Sequence, residues 1–344
     1  MFKKISKIFK VFSSRQIGID LGTANCLVYL EGEGIILNEP TVVAVAFDDN
    51  RVMAVGKKAK KMLGRTPENI VVSCPLKDGV IADYRITEAM IRYFIREAMG
   101  SHFFKPEVMI CISSGANQVE RRAVMGATLQ AGAKTVYLID EPLAAAIGAQ
   151  MPIAQASGNM IVDIGGGSTE AAVIALGGVV VHDSLRVGGN KIDEAIVSFL
   201  RKKHNLIIGS QTAEEVKIKI GAALSLKKEL SMGIEGRDSI LGLPKSIKLT
   251  STDITQAISS TVDQMINMVK DVLENTPPEL ARDIINRGIV LSGGTSLLRN
   301  LGQKMTEEIG VPCFVAPKPM LCVAKGTGAA IENLDLYKKS LTKK

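Results

Sequence analysis

Apolar and polar residues follow two alternating patterns along the chain. Short apolar runs between glycine or polar residues predict strands, whereas longer segments with apolar residues every three or four positions predict amphipathic helices. The predicted strands are residues 41–47, 108–112, 135–139, 178–182 and 289–291. The predicted helices are residues 87–99, 118–131, 191–203, 212–219, 251–274 and 296–309, and the turn-rich stretch 230–250 predicts short strands in an appended subdomain. Alternation of this kind predicts an α/β fold.

One strand pattern occurs twice. Residues 17–25 read Ile-Gly-Ile-Asp-Leu-Gly-Thr-Ala-Asn, and residues 160–169 read Met-Ile-Val-Asp-Ile-Gly-Gly-Gly-Ser-Thr. Each predicts a buried strand that turns at glycine and returns as a second strand. Glycine lets backbone N–H groups approach a phosphate closely, and an aspartate beside them suits a phosphate only if a cation lies between. Two such hairpins that face each other are therefore predicted to hold a polyphosphate and its magnesium.

Three further clusters carry polar residues at predicted element ends. Asp140-Glu141-Pro142 follows a strand and opens a helix, where one carboxylate suffices as N-cap and the second is left over. Ser292-Gly293-Gly294-Thr295-Ser296 is a common strand-to-helix turn, and Glu214-Glu215-Val216-Lys217 is ordinarily a solvated helix face. The chain lacks the glycine-rich GxxxxGK[ST] motif, which removes the commonest alternative for binding a nucleoside triphosphate.

Composition and charge exclude several classes of protein. With 344 residues and 46% hydrophobic residues, the chain is long enough for two domains or one bilobed molecule. Nine lysines and arginines near the termini exceed the formal net charge of +7, so the body has no basic excess and nucleic acid is not an expected partner. The five cysteines show no CxxC pair and the three histidines are scattered, which indicates a reducing compartment and no zinc site.

The first 14 residues suggest contact with a membrane. At helical period, Phe2, Ile5, Phe9 and Phe12 form one apolar stripe, and the only charges are lysines on the other side. A helix of this kind lies in the interface of an anionic membrane. A disordered tail and a helix docked on the protein's own core are the alternatives.

The order of these motifs along the chain resembles that of the ATPase superfamily of actins, heat-shock chaperones and sugar kinases. The matching segments are the two hairpins, residues 140–142 and residues 292–295. Four further segments resemble one family of this superfamily, the MreB family of bacterial actins, and they are residues 37–40, 76–83, 119–122 and 276–280. The resemblance extends from about residue 15 to 335. It implies an actin-like fold of two lobes, each with a duplicated mixed sheet flanked by helices, around a central nucleotide cleft. The implied segments are a membrane-binding segment (1–14), subdomain IA (15–42, 76–155, 325–344), IB (43–75), IIA (156–190, 251–324) and IIB (191–250).

The resemblance also implies roles for individual residues in binding ATP and Mg²⁺. Asp20 and Asp163 would bind the metal through water, Glu141 would position the attacking water, and Ser168 would assist it. The implied ATP-binding residues are Gly22, Thr23, Ala24, Asn25, Gly165, Gly166, Gly167, Glu214, Glu215, Val216, Lys217, Gly293, Gly294, Thr295 and Ser296. Ser168 and Asp140 stand where the family usually has Thr and Glu, which bears on the hydrolysis rate.

The implied function is that of a cytoskeletal protein with slow ATPase activity, in the cytoplasm on the inner face of the cell membrane. Its expected partners are further copies of the chain in filaments, in antiparallel pairs, the anionic membrane surface and membrane-embedded morphogenesis proteins. Phe103 and Phe104 match the family's membrane-inserting loop, and a loop that folds back on the protein's own core is the alternative for them. A metabolite kinase, a chaperone ATPase and a plasmid-segregating or division-associated actin relative are the alternatives.

Overall fold

The computed structural model describes residues 15–48, 51–100, 104–337 and 341–343. Its strands alternate with helices through most of the chain. The strands are β1 (Gln16–Leu21), β2 (Asn25–Leu30), β3 (Gly34–Pro40), β4 (Val43–Ala46), β5 (Val52–Val55), β6 (Ile70–Ser73), β7 (Leu76–Lys77), β8 (Val80–Ile81), β9 (Glu107–Ile112), β10 (Thr135–Asp140), β11 (Asn159–Ile164), β12 (Thr169–Ala175), β13 (Gly178–Leu185), β14 (Leu206–Ile207), β15 (Ser231–Asp238), β16 (Pro244–Thr250), β17 (Ile289–Ser292), β18 (Cys313–Val315) and β19 (Thr342–Lys343).

The helices lie between these strands and, in several cases, begin directly at a strand end. The α-helices are α1 (Lys57–Lys60), α2 (Tyr84–Met99), α3 (Gln118–Gln130), α4 (Glu141–Gly148), α5 (Gly189–His204), α6 (Ser210–Ile220), α7 (Ser251–Glu274), α8 (Pro278–Arg287), α9 (Leu301–Ile309), α10 (Cys322–Glu332) and α11 (Leu334–Tyr337). Two short 3₁₀ helices span Gly294–Leu297 and Pro319–Leu321. Within the described residues, no helix has both the length and the apolar character needed to cross a bilayer.

The chain divides into two compact units. The first unit comprises Met1–Gln155, Leu176–Gly178 and Leu321–Lys344, and the second comprises Ala156–Ala175 and Val179–Met320. The finer division into four subdomains stays a prediction.

The first unit is built on a six-stranded mixed sheet in the order β19-β10-β9-β1-β2-β3. Strand β1 is antiparallel to β2 and parallel to β9, and β9 is parallel to β10. Alternate apolar residues of these strands, such as Ile17 and Ile19, are fully buried. Helix α10 packs so closely on α4 that a Cβ on Gly326 would lie 1.7 Å from the Ala144 carbonyl oxygen. This packing holds α4, whose first residue is Glu141, against the sheet.

The second unit repeats this plan with a five-stranded mixed sheet in the order β13-β12-β11-β17-β18. Strand β11 is antiparallel to β12 and parallel to β17, as β1 is to β2 and β9 in the first unit. Helix α7 begins after Thr250, whose side chain accepts from the Asp253 N–H while the Asp253 carboxylate accepts from the Thr250 N–H. The structure therefore confirms both predicted hairpins and the predicted helix over 251–274.

One predicted helix is wrong in its first part. Residues 296–309 were expected to form a single helix, but the structure has the 3₁₀ helix Gly294–Leu297, a break, and then α9. Asn300 adopts a left-handed backbone conformation with φ of 59°, which a continuous α-helix cannot contain. Apolar spacing alone does not show such a break.

Candidate functional site

In the first unit, the candidate site begins at the turn between β1 and β2. A Cβ on Gly22 would lie 2.6 Å from the Asn25 carbonyl oxygen, so this tight turn requires glycine. Thr41 holds the turn by two hydrogen bonds, because its hydroxyl donates to the Gly22 carbonyl at 2.6 Å and its N–H donates to the Ala24 carbonyl at 3.0 Å. The Thr23 hydroxyl accepts from the Gly79 N–H at 3.0 Å. The loop predicted to meet phosphate is therefore held in one conformation.

The ends of three parallel strands bring Asp20, Cys111 and Glu141 together in this unit. Asp20 lies near the end of β1, Cys111 near the end of β9, and Glu141 directly after β10. The Cys111 Sγ atom is 3.5 Å from Asp20 Oδ1 and 3.8 Å from Glu141 Oε1, and it accepts from the Leu21 N–H at 3.3 Å. Burial, followed by the nearby charges of Asp20 and Glu141, raises the pKa of the Cys111 thiol well above its usual value. The thiol therefore keeps its proton and acts as a donor.

The two adjacent carboxylates at the start of α4 have different environments. Asp140 occupies the N-cap position, but its side chain makes no capping hydrogen bond and instead accepts from Arg121 Nη2 at 2.6 Å. Glu141 is the first residue of the helix and is half-buried. Of these two carboxylates, Asp140 pairs with Arg121 and Glu141 contacts the Cys111 thiol.

In the second unit, Asp163 occupies the same place on β11 as Asp20 does on β1. It pairs in register with Glu170 on β12 and with Ser292 on β17, and the Ser292 hydroxyl donates to Asp163 Oδ1 at 2.6 Å. Burial raises the pKa of Asp163 from 3.8 to about 6, although the hydrogen bond from Ser292 acts in the opposite direction. A buried carboxylate of this kind gains its charge readily only when a cation lies beside it.

The glycine turn after β11 is held by its carbonyl groups. The Gly165 carbonyl accepts from the Gly189 N–H at 3.0 Å and from the Thr295 hydroxyl at 2.8 Å, and the Gly166 carbonyl accepts from the Asn190 N–H at 2.8 Å. In a trans peptide the carbonyl and the next N–H point in opposite directions. The N–H groups of Gly166 and Gly167 therefore point away from α5, and neither makes a hydrogen bond within the described part of the chain.

A glycine pair that the sequence motifs do not single out supports this turn. A Cβ on Gly188 would lie 2.7 Å from the Gly165 oxygen and 2.8 Å from the Gly166 oxygen, and a Cβ on Gly189 would lie 2.6 Å from Thr295 Oγ1. The start of α5 therefore approaches the turn closely only because both residues lack a side chain. The signal was present as a double glycine just before the predicted helix over 191–203.

The four predicted residues of α6 lie in different surroundings. Lys217 Nζ donates to Asp193 Oδ2 at 2.9 Å and to the Gly189 carbonyl at 3.0 Å, which places it beside the glycine turn. The Val216 side chain is fully buried in the core, and Glu215 is exposed and paired with Lys219. Glu214 is half-buried. The structure thus brings Lys217 to the site but gives no such position to the side chains of Val216 and Glu215, whose ligand contacts stay predictions.

The turn after β17 joins the same cluster. Gly293 has a φ of 81°, and a Cβ there would lie 2.3 Å from the Ile164 carbonyl oxygen. The Ser296 hydroxyl donates to the Gly293 carbonyl at 2.7 Å, and the Gly293 N–H donates to the Pro319 carbonyl at 3.1 Å. The second unit therefore gathers Asp163, the glycine turn of residues 165–167, the Lys217 side chain and residues 293–296 in one place.

The residues predicted to contact the membrane lie away from these clusters or outside the described residues. Phe2, Ile5, Phe9, Phe12 and Phe103 lie outside the described residues. Phe104 is half exposed. Among the described residues, no three His, Cys, Asp or Glu side chains form a group that could hold a metal ion, so a cation at Asp20 or Asp163 would need water or ligand oxygens to complete its shell.

Comparison with known proteins assigns the chain to a family. The family model of MreB/Mbl proteins matches residues 14–339. The chain belongs to the MreB/Mbl family. The cell shape-determining protein Mbl of Bacillus cereus is 47% identical over 327 residues, which cover 95% of this chain and 98% of that protein.

Solved structures agree with this family. MreB5 of Spiroplasma citri bound to AMPPNP matches with a TM-score of 0.89 and 36% identity, over 95% of this chain and 98% of that one. A chain of the MamK double helical filament matches with a TM-score of 0.80 over 93% of this chain and 99% of that one, and at 21% identity it is informative about the fold alone. Together with the duplicated hairpins and mixed sheets, these matches identify the actin-like ATPase fold.

Proposed function

We propose that this member of the MreB/Mbl family binds ATP with magnesium and assembles into filaments on the inner face of the cell membrane that help to set cell shape. Its relatives support the proposal, since Mbl of Bacillus cereus is named as cell shape-determining and MreB5 of Spiroplasma citri was solved with the ATP analogue AMPPNP. The duplicated glycine hairpins support it as well, because each places an aspartate beside a glycine turn.

The observation that carries the proposal is the glycine turn beside Asp163. The N–H groups of Gly166 and Gly167 have no hydrogen-bond partner among the described residues, and a buried carboxylate with a raised pKa lies near the end of the preceding strand. Unpaired N–H groups attract phosphate, and a divalent cation would stabilise the ionised carboxylate. A magnesium-bound polyphosphate satisfies both groups at once, whereas a free anion satisfies only the first.

Each unit contributes its own set of proposed contacts. In the first unit, Asp20 would bind magnesium through water, and Thr23, Ala24 and Asn25 would meet phosphate. In the second unit, Asp163 would bind the metal, the glycine turn would meet phosphate, and residues 214–217 and 293–296 would contact ribose and adenine. Magnesium, when bound, neutralises phosphate charge.

Hydrolysis is proposed to be slow and to switch contacts between subunits. Phosphoryl transfer requires positioning and charge neutralisation more than covalent chemistry. Glu141 is suited to orient the attacking water because it is half-buried and held at the start of a helix. Ser168 supplies a hydroxyl without the methyl group that would restrain it, which favours a low rate.

Membrane binding is proposed to depend on the first 14 residues, with Phe103 and Phe104 as a second contact. One short amphipathic helix binds a membrane reversibly. A filament presents many such helices at once, so the attachment becomes strong only after assembly. Membrane-embedded morphogenesis proteins are the further partners that this location would bring within reach.

Sedimentation and electron microscopy of the purified full chain test the proposal. With magnesium and ATP, we expect filaments that pellet with anionic liposomes, and far fewer filaments with EDTA. The Asp163→Ala variant is expected to lose magnesium-dependent nucleotide binding in calorimetry. If wild-type protein gives no heat with ATP and no filaments, the proposal is wrong.

Deletion of residues 1–14 separates assembly from membrane binding. Filaments are expected to form with ATP as before, while pelleting with liposomes falls. Undiminished pelleting would exclude the amino terminus as the anchor and would direct attention to Phe103 and Phe104. Phosphorylation of a small hydroxylated substrate by the purified protein would instead favour the metabolite-kinase alternative.

A further inference from the structure

Cys111 lies between two carboxylates that the proposed function assigns to different tasks. In the order β10-β9-β1, its strand is the middle one, so its side chain stands between Asp20 on one side and Glu141 on the other. The Sγ atom is within hydrogen-bond distance of both carboxylates, at 3.5 Å and 3.8 Å. The cysteine side chain is almost fully buried, whereas both carboxylates are half-buried, so the thiol is less accessible to water than its two partners.

The Leu21 backbone fixes the sulfur atom from a third direction. Its N–H donates to Cys111 Sγ at 3.3 Å, and Leu21 is the last residue of β1 before the glycine turn. A thiol is a weak donor and a weak acceptor, and here it acts as both. One side chain thereby connects the turn, the metal-binding candidate and the water-positioning candidate.

We propose that Cys111 is a positioning residue of the nucleotide site, whose thiol proton, shared between Asp20 and Glu141, holds the two carboxylates in place. The inference rests on the ATPase function proposed above. Asp20 and Glu141 lie at the ends of the two strands that flank β9, and they repel each other when both are ionised. A donor between them reduces that repulsion and limits the rotamers that each can adopt.

The second unit supports this inference independently. The register that pairs Ile19 with Ile110 places Cys111 next to Asp20, just as Ser292 is paired with Asp163. In both units the residue on the neighbouring parallel strand donates to Oδ1 of the hairpin aspartate. Since the two donors differ in chemistry but share this place in the duplicated fold, the common requirement is a hydrogen-bond donor.

Three variants of the full chain test the role of Cys111. Cys111→Ala removes the donor, and Cys111→Ser keeps a donor. Cys322→Ala removes a buried thiol from α10 in the same unit, where Cys322 lies beside Gly148, at the opposite end of α4 from Glu141. Steady-state phosphate release gives kcat and KM for ATP at saturating magnesium. Thermal melts confirm that each variant is folded, and Cys111→Val, which fills the volume without a donor, replaces the alanine variant if that one does not fold.

The expected result is a loss of turnover without a loss of binding. For Cys111→Ala, kcat should fall about tenfold. Loss of a residue that orients a metal ligand typically lowers activity about 10- to 100-fold, and this value is at the lower end of that range. The KM for ATP should change by less than about twofold, Cys111→Ser should recover most of the rate, and Cys322→Ala should match the wild type.

Two results would overturn the inference. If Cys111→Ala turns over ATP as Cys322→Ala does, Cys111 positions nothing; if Cys111→Ser is as slow as Cys111→Ala, the donor is not the reason. Both differ from failure of the proposed function, in which the wild type itself neither binds nor hydrolyses ATP.

Discussion

Ser292 donates its hydroxyl proton to Asp163 Oδ1 over 2.6 Å, between two parallel strands of the second unit. Both side chains are buried, and Asp163 has the raised pKa of a carboxylate that burial has deprived of water. The serine therefore orients the aspartate and partly compensates its charge. Cys111 has the corresponding relation to Asp20 in the first unit.

Replacing Ser292 should weaken binding of the magnesium nucleotide. Ser292→Ala removes the hydrogen bond that lowers the pKa of Asp163, and we expect magnesium-dependent ATP affinity to fall about tenfold. Ser292→Thr keeps the hydroxyl and serves as the control. Calorimetry with and without magnesium measures the effect, and equal affinity for the alanine and threonine variants would contradict it.

The nucleotide-free protein should lose stability as the pH rises through the pKa of Asp163. This carboxyl keeps its proton up to about pH 6 in the folded state, whereas its usual pKa is 3.8. The folded chain therefore binds more protons than the unfolded chain between these values, so its contribution to stability is complete below pH 3.8 and lost as pH rises through about 6. At neutral pH the loss is about 3 kcal/mol.

The Asp163→Asn variant checks this pH dependence. Urea unfolding of the nucleotide-free protein at pH 5 and pH 7.5 should show a smaller drop in the free energy of unfolding for the variant than for the wild type. At neutral pH the variant should be the more stable protein and yet fail to bind the magnesium nucleotide. Identical drops for both proteins would show that Asp163 does not titrate in this range.

Glu141→Gln should separate ATP binding from hydrolysis. The amide keeps the size of the side chain but removes the charge that orients water, so phosphate release should fall about 100-fold. Binding of a fluorescent ATP analogue should be unchanged, since the proposed phosphate contacts lie on the glycine turns. Unchanged phosphate release would exclude Glu141 as the water-positioning group.

Gly293 and Gly294 are adjacent but should differ sharply in their tolerance of a side chain. Gly293→Ala imposes a positive φ on alanine and places its Cβ 2.3 Å from the Ile164 oxygen, so a loss of about 3 kcal/mol or more is expected. Gly294→Ala meets its nearest atom, Met320 Cγ, at 3.7 Å, which is ordinary contact. Denaturant unfolding of both variants makes the comparison, and equal stability would refute it.

Lys217 and Lys219 lie on the same helix and should contribute very differently to stability. The Lys217–Asp193 pair is 16% and 12% exposed, so Lys217→Ala leaves a nearly buried carboxylate without this counter-charge and should cost about 3 kcal/mol. The Lys219–Glu215 pair is 57% and 52% exposed, and Lys219→Ala should cost about 0.5 kcal/mol or less. Similar losses in urea unfolding would show that burial does not decide the difference.

Elements whose signals are local were predicted well. Helix α7 covers the predicted residues 251–274, since its capping box and apolar stripe lie within its own sequence. Helix α10 was missed because it contains Gly326 and Gly328 among small residues and shows no amphipathic period. Those glycines are needed for contact with α4 and with Tyr29, which the local sequence does not reveal.

The sequence by itself determined the two glycine hairpins, the α/β alternation and the aspartate near the end of each hairpin's first strand. All of these depend on residues within ten positions of one another, where backbone geometry and side-chain period act directly. Tertiary structure alone decided that Cys111 contacts Asp20, 91 positions away, and that Ser292 contacts Asp163, 129 positions away. Sheet register sets such contacts, and it emerges only when distant strands pair.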